Sequence, residues 1–251
     1  MTEELRLKRL RELALRAFHT GQPQFTRFLE PSMEQPVRAA ASQAGVRAEF
    51  YGGFEDAERR IAAFYRDEPP EAEEYPLLAL RISWNARFAD PGHRDLLGAV
   101  MGLGIERETT GDIAMGDYRG APCAYLFCVP EVADYIAANL DGAGRASVKA
   151  ACAEEPPAIR PPEGEAVRVT VQNERLDALL AAACHLSRAE AQRLIAAGLV
   201  KLNHVPNLHA DARLSEGDLI SARGYGRIRV DAFQGESRRG RRVVTLFRYG
   251  K

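Results

Sequence analysis

The chain has 251 residues, 46% of them hydrophobic and 27% charged, with a net charge of −1. That apolar fraction suffices for packed cores and excludes a wholly disordered chain. No run of about 18 apolar residues occurs, and Arg6, Lys8, Arg9, Arg11 and Arg16 interrupt the leucines of the N-terminus. Neither a membrane span nor a secretory signal is read, and the expected location is cytoplasmic.

Residues 2–18 carry Leu7, Leu10, Ala14 and Phe18 at helical spacing. Gln22-Pro23 ends that helix, and Phe28-Leu29-Glu30-Pro31 reads as a short apolar stop. Residues 36–44 are expected to be helical and 46–51 to form a strand. Gly52-Gly53 turns the chain, and residues 55–65 read as a helix with Ile61, Phe64 and Tyr65 on its apolar side. An acidic, proline-containing loop spans 67–74.

A regular series follows. Strands are expected at 77–84, around Ile113, at 123–129 and at 146–150, with helices at 93–103 and 131–140. The order β-α-β-β-α-β is that of the ferredoxin-like or RRM-like plait. Tyr125 and Phe127 alternate on a plait strand where RRM aromatics stack bases. The surrounding residues do not match the RNP1 consensus, so core packing is the favoured role for both. Gly98 and Gly102 suggest a smooth helix stripe suited to close packing. Residues 154–164 are proline-rich and fit a stiff linker.

Beyond the linker, helices are expected at 175–185 and 187–197. Ser187 and Glu190 form an S-x-x-E capping box, and Gly198 supplies the stop. Strands are expected at 200–203, 218–223, 228–233 and 243–249. The fold class is therefore α+β. An N-terminal α/β region occupies 1–74, an RRM-like plait 75–152, the linker 153–165, and a small α/β domain with a basic extension 166–251.

The near-zero net charge hides an asymmetry. Residues 165–251 hold fifteen Lys and Arg against nine Asp and Glu, and residues 221–251 alone hold nine against two. A basic end on an acidic body points to a polyanionic partner. Ser187 and Arg188 stand at a helix start, where free amides and the helix dipole favour phosphate. Arg188 adds a planar donor fork, with Gln192 and Arg193 one turn further on. Lys201 and Asn203 alternate with Val200 and Leu202 and so face away from the core, as Ser221 and Arg223 do on a later strand. Arg227, Arg238, Arg239, Arg241 and Arg242 extend the field. Arg175 is a further candidate, with Glu174 and Asp177 beside it as competing partners.

The run R175-L-D, then S187-R-A-E-A-Q-R-L-I-A-A-G-L-V-K-L-N203, then G217-D-L-I-S-A-R-G-Y-G226 resembles the S4 RNA-binding domain over about sixty residues. His204 stands where that pattern usually has glycine, which bears on the local turn. Upstream, F28-L-E-P31, Y51-G-G-F-E-D-A-E-R-R60, H93-R-D-L-L-G-A-V-M-G-L-G-I-E-R-E-T-T-G-D-I113 and the basic G235-E-S-R-R-G-R-R242 resemble the YlmH family of S4-domain proteins. The resemblance implies a non-catalytic RNA-binding protein that associates with the large ribosomal subunit and tRNA in rescue or quality control of stalled translation. At the start of the expected helix over 93–103, His93 and Arg94 are read as candidates for a second contact surface with RNA or protein, against a tightly packed helix with a polar cap.

Two other classes stay open: an RNA-modifying enzyme or its accessory, and a cell-division-linked adaptor. The H93-R-D run lacks the asparagine of a kinase catalytic loop, with Val100 in its place. R175-L-D echoes a pseudouridine synthase motif, yet the two-helix pattern follows it directly, so Asp177 reads as a helix-start residue. No nucleotide-binding or metal motif is present. Cys123, Cys128, Cys152 and Cys184 form no C-x-x-C and are expected to be buried, inert thiols. No cofactor and no small-molecule substrate are expected.

Overall fold

The computed structural model of the protein describes residues 3–237 and 240–250. The chain divides into two compact units, one up to Arg160 and one from Pro161. Among the described residues no helix is long and apolar enough to cross a membrane.

The first unit begins with α1 (Glu3–Thr20), β1 (Gln24–Leu29), α2 (Glu34–Ala44), β2 (Arg47–Tyr51) and β3 (Arg60–Tyr65). The strands form an antiparallel sheet in the order β1-β3-β2. Leu10, Ala14 and Ala17 of α1 and Val37, Ala40 and Ala41 of α2 pack with Ala62 and Phe64 of β3. On the opposite face of β3, Ile61 and Ala63 join Phe28 in a second cluster. Two sequence expectations fail here. The expected helix over 55–65 is a turn followed by β3, and the stop at Phe28-Leu29 is the end of a strand. The run I-A-A-F-Y is apolar without a break because β3 is buried on both faces, so its alternation is invisible.

The unit continues with β4 (Leu78–Trp84), α3 (His93–Gly102), β5 (Thr110–Tyr118), β6 (Ala121–Cys128), α4 (Pro130–Asn139), β7 (Gly142–Ala143) and β8 (Ala146–Cys152). These strands form an antiparallel sheet in the order β5-β6-β4-β8-β7. Leu80, Ile82 and Leu126 of the sheet pack with Leu96 and Val100 of α3 and Ala133 and Ile136 of α4. The other face of this sheet meets the first one. Tyr125, Phe127 and Cys123 cluster with Phe28, Ile61 and Ala63. Tyr125 and Phe127 are thus closed off from any base by a second sheet. Phe54 stacks on Phe127 with ring centroids 5.2 Å apart.

The segments around Tyr51–Arg60 and Thr110–Ile113 meet at this junction. Asp112 accepts the backbone N–H groups of Glu58 at 2.6 Å and Arg59 at 3.1 Å. Arg59 is buried and donates to the carbonyls of Thr110, Phe28 and Arg107. Burial, and then the neighbouring Arg107, lower its pKa. Gly53 holds φ at +98°, and a Cβ there would lie 2.1 Å from the Phe127 ring. The glycine stripe expected on α3 does not pack: a Cβ on Gly98 or Gly102 meets nothing within 4 Å. Leu96 and Val100 make that helix's buried face instead.

The expected linker is partly docked. Asp117 donates its N–H to the carbonyl of Ala158, Arg160 donates to that of Met115, and Ile159 bridges Gly116. The Arg160 guanidinium closes on the Asp117 carboxylate at 2.5 and 2.6 Å. Cys123 and Cys128 are buried as expected, and burial pushes the Cys128 thiol up to about 12. Cys184 is half-buried and Cys152 is exposed, against expectation, because Cys152 closes β8 as the chain leaves the sheet.

The second unit contains β9 (Gly164–Val171), α5 (Leu176–Cys184), α6 (Arg188–Ala196), β10 (Val200–Leu202), β11 (Val205–Pro206), β12 (Leu219–Ala222), β13 (Gly226–Glu236) and β14 (Arg242–Tyr249). The strand order is β11-β10-β12-β13-β14-β9. Strand β9 lies where the linker was expected to end. It pairs with β14 from Arg242↔Val171 to Tyr249↔Gly164. Leu176, Leu179 and Leu180 of α5 and Ala191 and Ile195 of α6 pack with Val200, Ile220, Ile228, Val230, Val244 and Leu246 of the sheet. The chain reverses between β10 and β11 on Asn203 and His204, with φ of 48° and 69°. Two left-handed residues in a two-residue hairpin loop are what the strand twist asks for, and histidine takes the place of the glycine.

Candidate nucleic-acid interface

Asp177 lies in the first turn of α5 and has no exposed surface. A buried carboxylate is stable only when paired and hydrogen-bonded. Arg175 donates to it through Nε and Nη2 at 3.1 and 3.2 Å. Arg188 does the same at 3.1 and 3.3 Å, and the Gln192 amide nitrogen lies 2.7 Å away. Burial works to raise the Asp177 pKa, but the hydrogen bonds from Arg188, Gln192 and Arg175 outweigh it and hold the carboxyl below its usual range. One negative charge thus orients two positive ones. The side chains of Arg175 and Arg188 remain 36% and 42% exposed. Neither Nη1 is engaged among the described residues, so a surplus positive charge with fixed donor planes faces outward.

Local sequence builds this arrangement. Arg175 is the N-cap residue of α5, so its side chain sits at the mouth of the helix. Ser187 caps α6: its hydroxyl accepts the Glu190 N–H and donates to the Glu190 carboxylate, which also takes the Ser187 N–H. Those bonds hold the Glu190 carboxyl below its ordinary range. The cap fixes the first turn of α6, from which Arg188 reaches back to α5 and Gln192 follows one turn later.

The other expected contact residues divide into two groups. Arg193, Lys201, Arg223, Arg227 and Arg241 are exposed. Lys201 and Ser221 are register partners, as are Ser221 and Arg227, which aligns the two cations across three strands. Ser187, Gln192 and Asn203 are exposed too, and their polar groups also serve the fold. Ser187 is occupied by its cap and Gln192 gives its amide nitrogen to Asp177. Asn203 holds the hairpin, donating to Asp218 at 2.8 Å and accepting the Leu219 N–H at 2.9 Å. Arg242 is drawn to Glu174 at 2.8 Å. Arg238 and Arg239 lie outside the described residues. His93 and Arg94 are exposed at the start of α3 in the first unit, where the Gly92 N–H donates to Asp95 at 3.0 Å.

Comparison with known proteins sets this geometry in a family. Residues 70–155 match a family model described as a putative RNA-binding domain in YlmH, and residues 174–220 match the S4 domain. The chain is 32% identical over 225 residues to the ribosome-associated protein quality control protein P2 of Bacillus subtilis, covering 89% of this chain and 86% of that one. This chain belongs to the YlmH family of S4-domain proteins. The cell division protein ylmH of Streptococcus pneumoniae, a solved structure, is 24% identical to this YlmH-family chain. The match has a TM-score of 0.47 and covers 61% of this chain and 93% of that one.

Sequence reasoning missed the central residue of the site in this YlmH-family protein. Asp177 looked like a helix-start carboxylate, because its partners lie eleven and fifteen residues away on another helix. On β14, Thr245, Phe247 and Tyr249 alternate with Val244, Leu246 and Arg248.

Proposed function

We propose that this protein is a non-catalytic RNA-binding factor that associates with the large ribosomal subunit and with tRNA, in rescue or quality control of stalled translation. The observation that carries the reading is the Asp177 cluster, which holds Arg175 and Arg188 as an oriented pair of half-exposed guanidiniums. Such planar forks match phosphate oxygens and read the shape of a folded RNA. Arg193, Lys201, Arg223, Arg227 and Arg241 widen the positive surface, and His93 and Arg94 supply a second one. The Bacillus subtilis relative's name supports the ribosome as the partner, which also favours the cytoplasm.

The strands β4, β5, β6 and β8 with α3 and α4 are read as an RRM-like plait, within the proposed domain at 75–152. Its β-α-β-β-α-β order supports that reading. Its buried Tyr125 and Phe127 leave RNA contact to other surfaces.

Sedimentation of the purified protein with ribosomal subunits tests the reading. Binding is expected to large subunits, to increase when these carry peptidyl-tRNA, and to fall steeply with salt. Arg188→Glu should lose most of it. Failure of the wild-type protein to pellet with large subunits at low salt overturns the proposal.

A further inference from the structure

The six-stranded sheet of the second unit packs one face on α5 and α6. Its other face carries no helix among the described residues of that unit. Strand alternation decides what stands there. Lys201, Ser221 and Arg227 form one row across β10, β12 and β13. Leu219, Arg229, Phe247 and Ala166 form the next, across β12, β13, β14 and β9. Tyr249 follows Phe247 by two residues and so shares its face.

The aromatic and basic side chains are already coupled. The Arg227 guanidinium lies 5.1 Å over the Tyr249 ring, and that of Arg229 lies 5.4 Å over Phe247. The two rings meet edge to face with centroids 5.0 Å apart. Phe247 is seated closely against the backbone at Gly164, where a Cβ would come within 2.6 Å of the ring. Asp231 neutralises Arg229 at 2.8 Å, while the exposed Lys201 and Arg168 keep the face positive. The S4 match ends at residue 220, so Arg227, Arg229, Phe247 and Tyr249 all lie outside it.

Rings fixed on a sheet, with guanidiniums over them, are stacking platforms for bases, and the positive charge holds the phosphates between. We propose that this sheet face binds unpaired nucleotides of an RNA, separately from the Asp177 cluster. The inference rests on the RNA-binding reading above and adds the form of RNA and the residues that stack it. A paired helix hides its base faces and would gain nothing from the rings. Charge complementarity favours RNA here over a protein partner.

The test uses the full-length protein, a fluorescein-labelled oligouridylate and a labelled RNA hairpin in anisotropy titrations. The double variant Phe247→Leu/Tyr249→Leu should bind oligouridylate about tenfold more weakly, with the hairpin within about twofold of wild type. Arg188→Glu should weaken the hairpin more than the oligouridylate. Should the double variant fail to fold, Tyr249→Trp gives a second readout. Its emission should be quenched by oligouridylate beyond the wild-type signal of Trp84. Unchanged oligouridylate affinity in the folded double variant, or an unquenched Tyr249→Trp protein, overturns the stacking face while hairpin binding keeps the RNA reading intact. Loss of ribosome binding by the double variant with oligouridylate affinity retained makes the face a protein contact and also overturns it. A wild-type protein that binds neither RNA overturns both.

Discussion

Arg188 crosses from the first turn of α6 to set Nε 3.1 Å and Nη2 3.3 Å from the carboxylate of Asp177, a residue with no exposed surface on α5. The same carboxylate takes Arg175 and Gln192. Removing its charge leaves two guanidiniums facing each other with nothing between them. Asp177→Ala should therefore destabilise the second unit by roughly 3 kcal/mol, the usual cost of breaking a buried pair from one side. Urea unfolding monitored by circular dichroism measures it. An unchanged midpoint would show that the cluster contributes nothing.

The pH dependence follows from the direction of the Asp177 shift. Its folded-state pKa lies below the ordinary 3.8, so the ionised form is favoured by folding. The stability this supplies is fully present above the unfolded value and is lost as pH falls through the folded one. Between about pH 5 and pH 2 the wild type should lose more stability than Asp177→Asn, and the two curves should run parallel above pH 5. Thermal melts across that range give the comparison.

Arg188→Lys keeps the charge and removes the fork. A lysine cannot hold Asp177 through two parallel donors and face phosphate at once. RNA affinity should drop several-fold, by less than for Arg188→Ala. Lys201→Ala should weaken RNA of every sequence evenly and lower the slope of log affinity against log salt by about one. Titrations at three salt concentrations separate the two effects.

Two glycines of the first unit should respond in opposite directions. Gly53→Ala places a methyl 2.1 Å from Phe127 at a φ of +98°, and should cost about 3 kcal/mol or prevent the sheets from stacking. Gly98→Ala sits on an exposed turn of α3 with nothing within 4 Å, and should stabilise by about 0.5–1 kcal/mol. Calorimetry of both variants checks the pair, and a destabilised Gly98→Ala would return that stripe to a packing role.

The sequence by itself determined the elements whose signals are local. The capping box of Ser187 and Glu190 set the start of α6, and the alternation of Val200, Lys201 and Leu202 set the faces of β10. The basic bias of the last residues is likewise read directly from the sequence. Local patterns could not report what depends on contacts across the chain. Strand β3 reads as a helix because both of its faces are buried, and most of β9 carries no strand expectation because its partner β14 comes some seventy residues later. Asp177 shows the same limit at the level of a single side chain. Whether it is a solvated helix start or the hub of two arginines depends on where the next helix returns. Only the tertiary structure, by packing α6 on α5, brought those charges within hydrogen-bond reach.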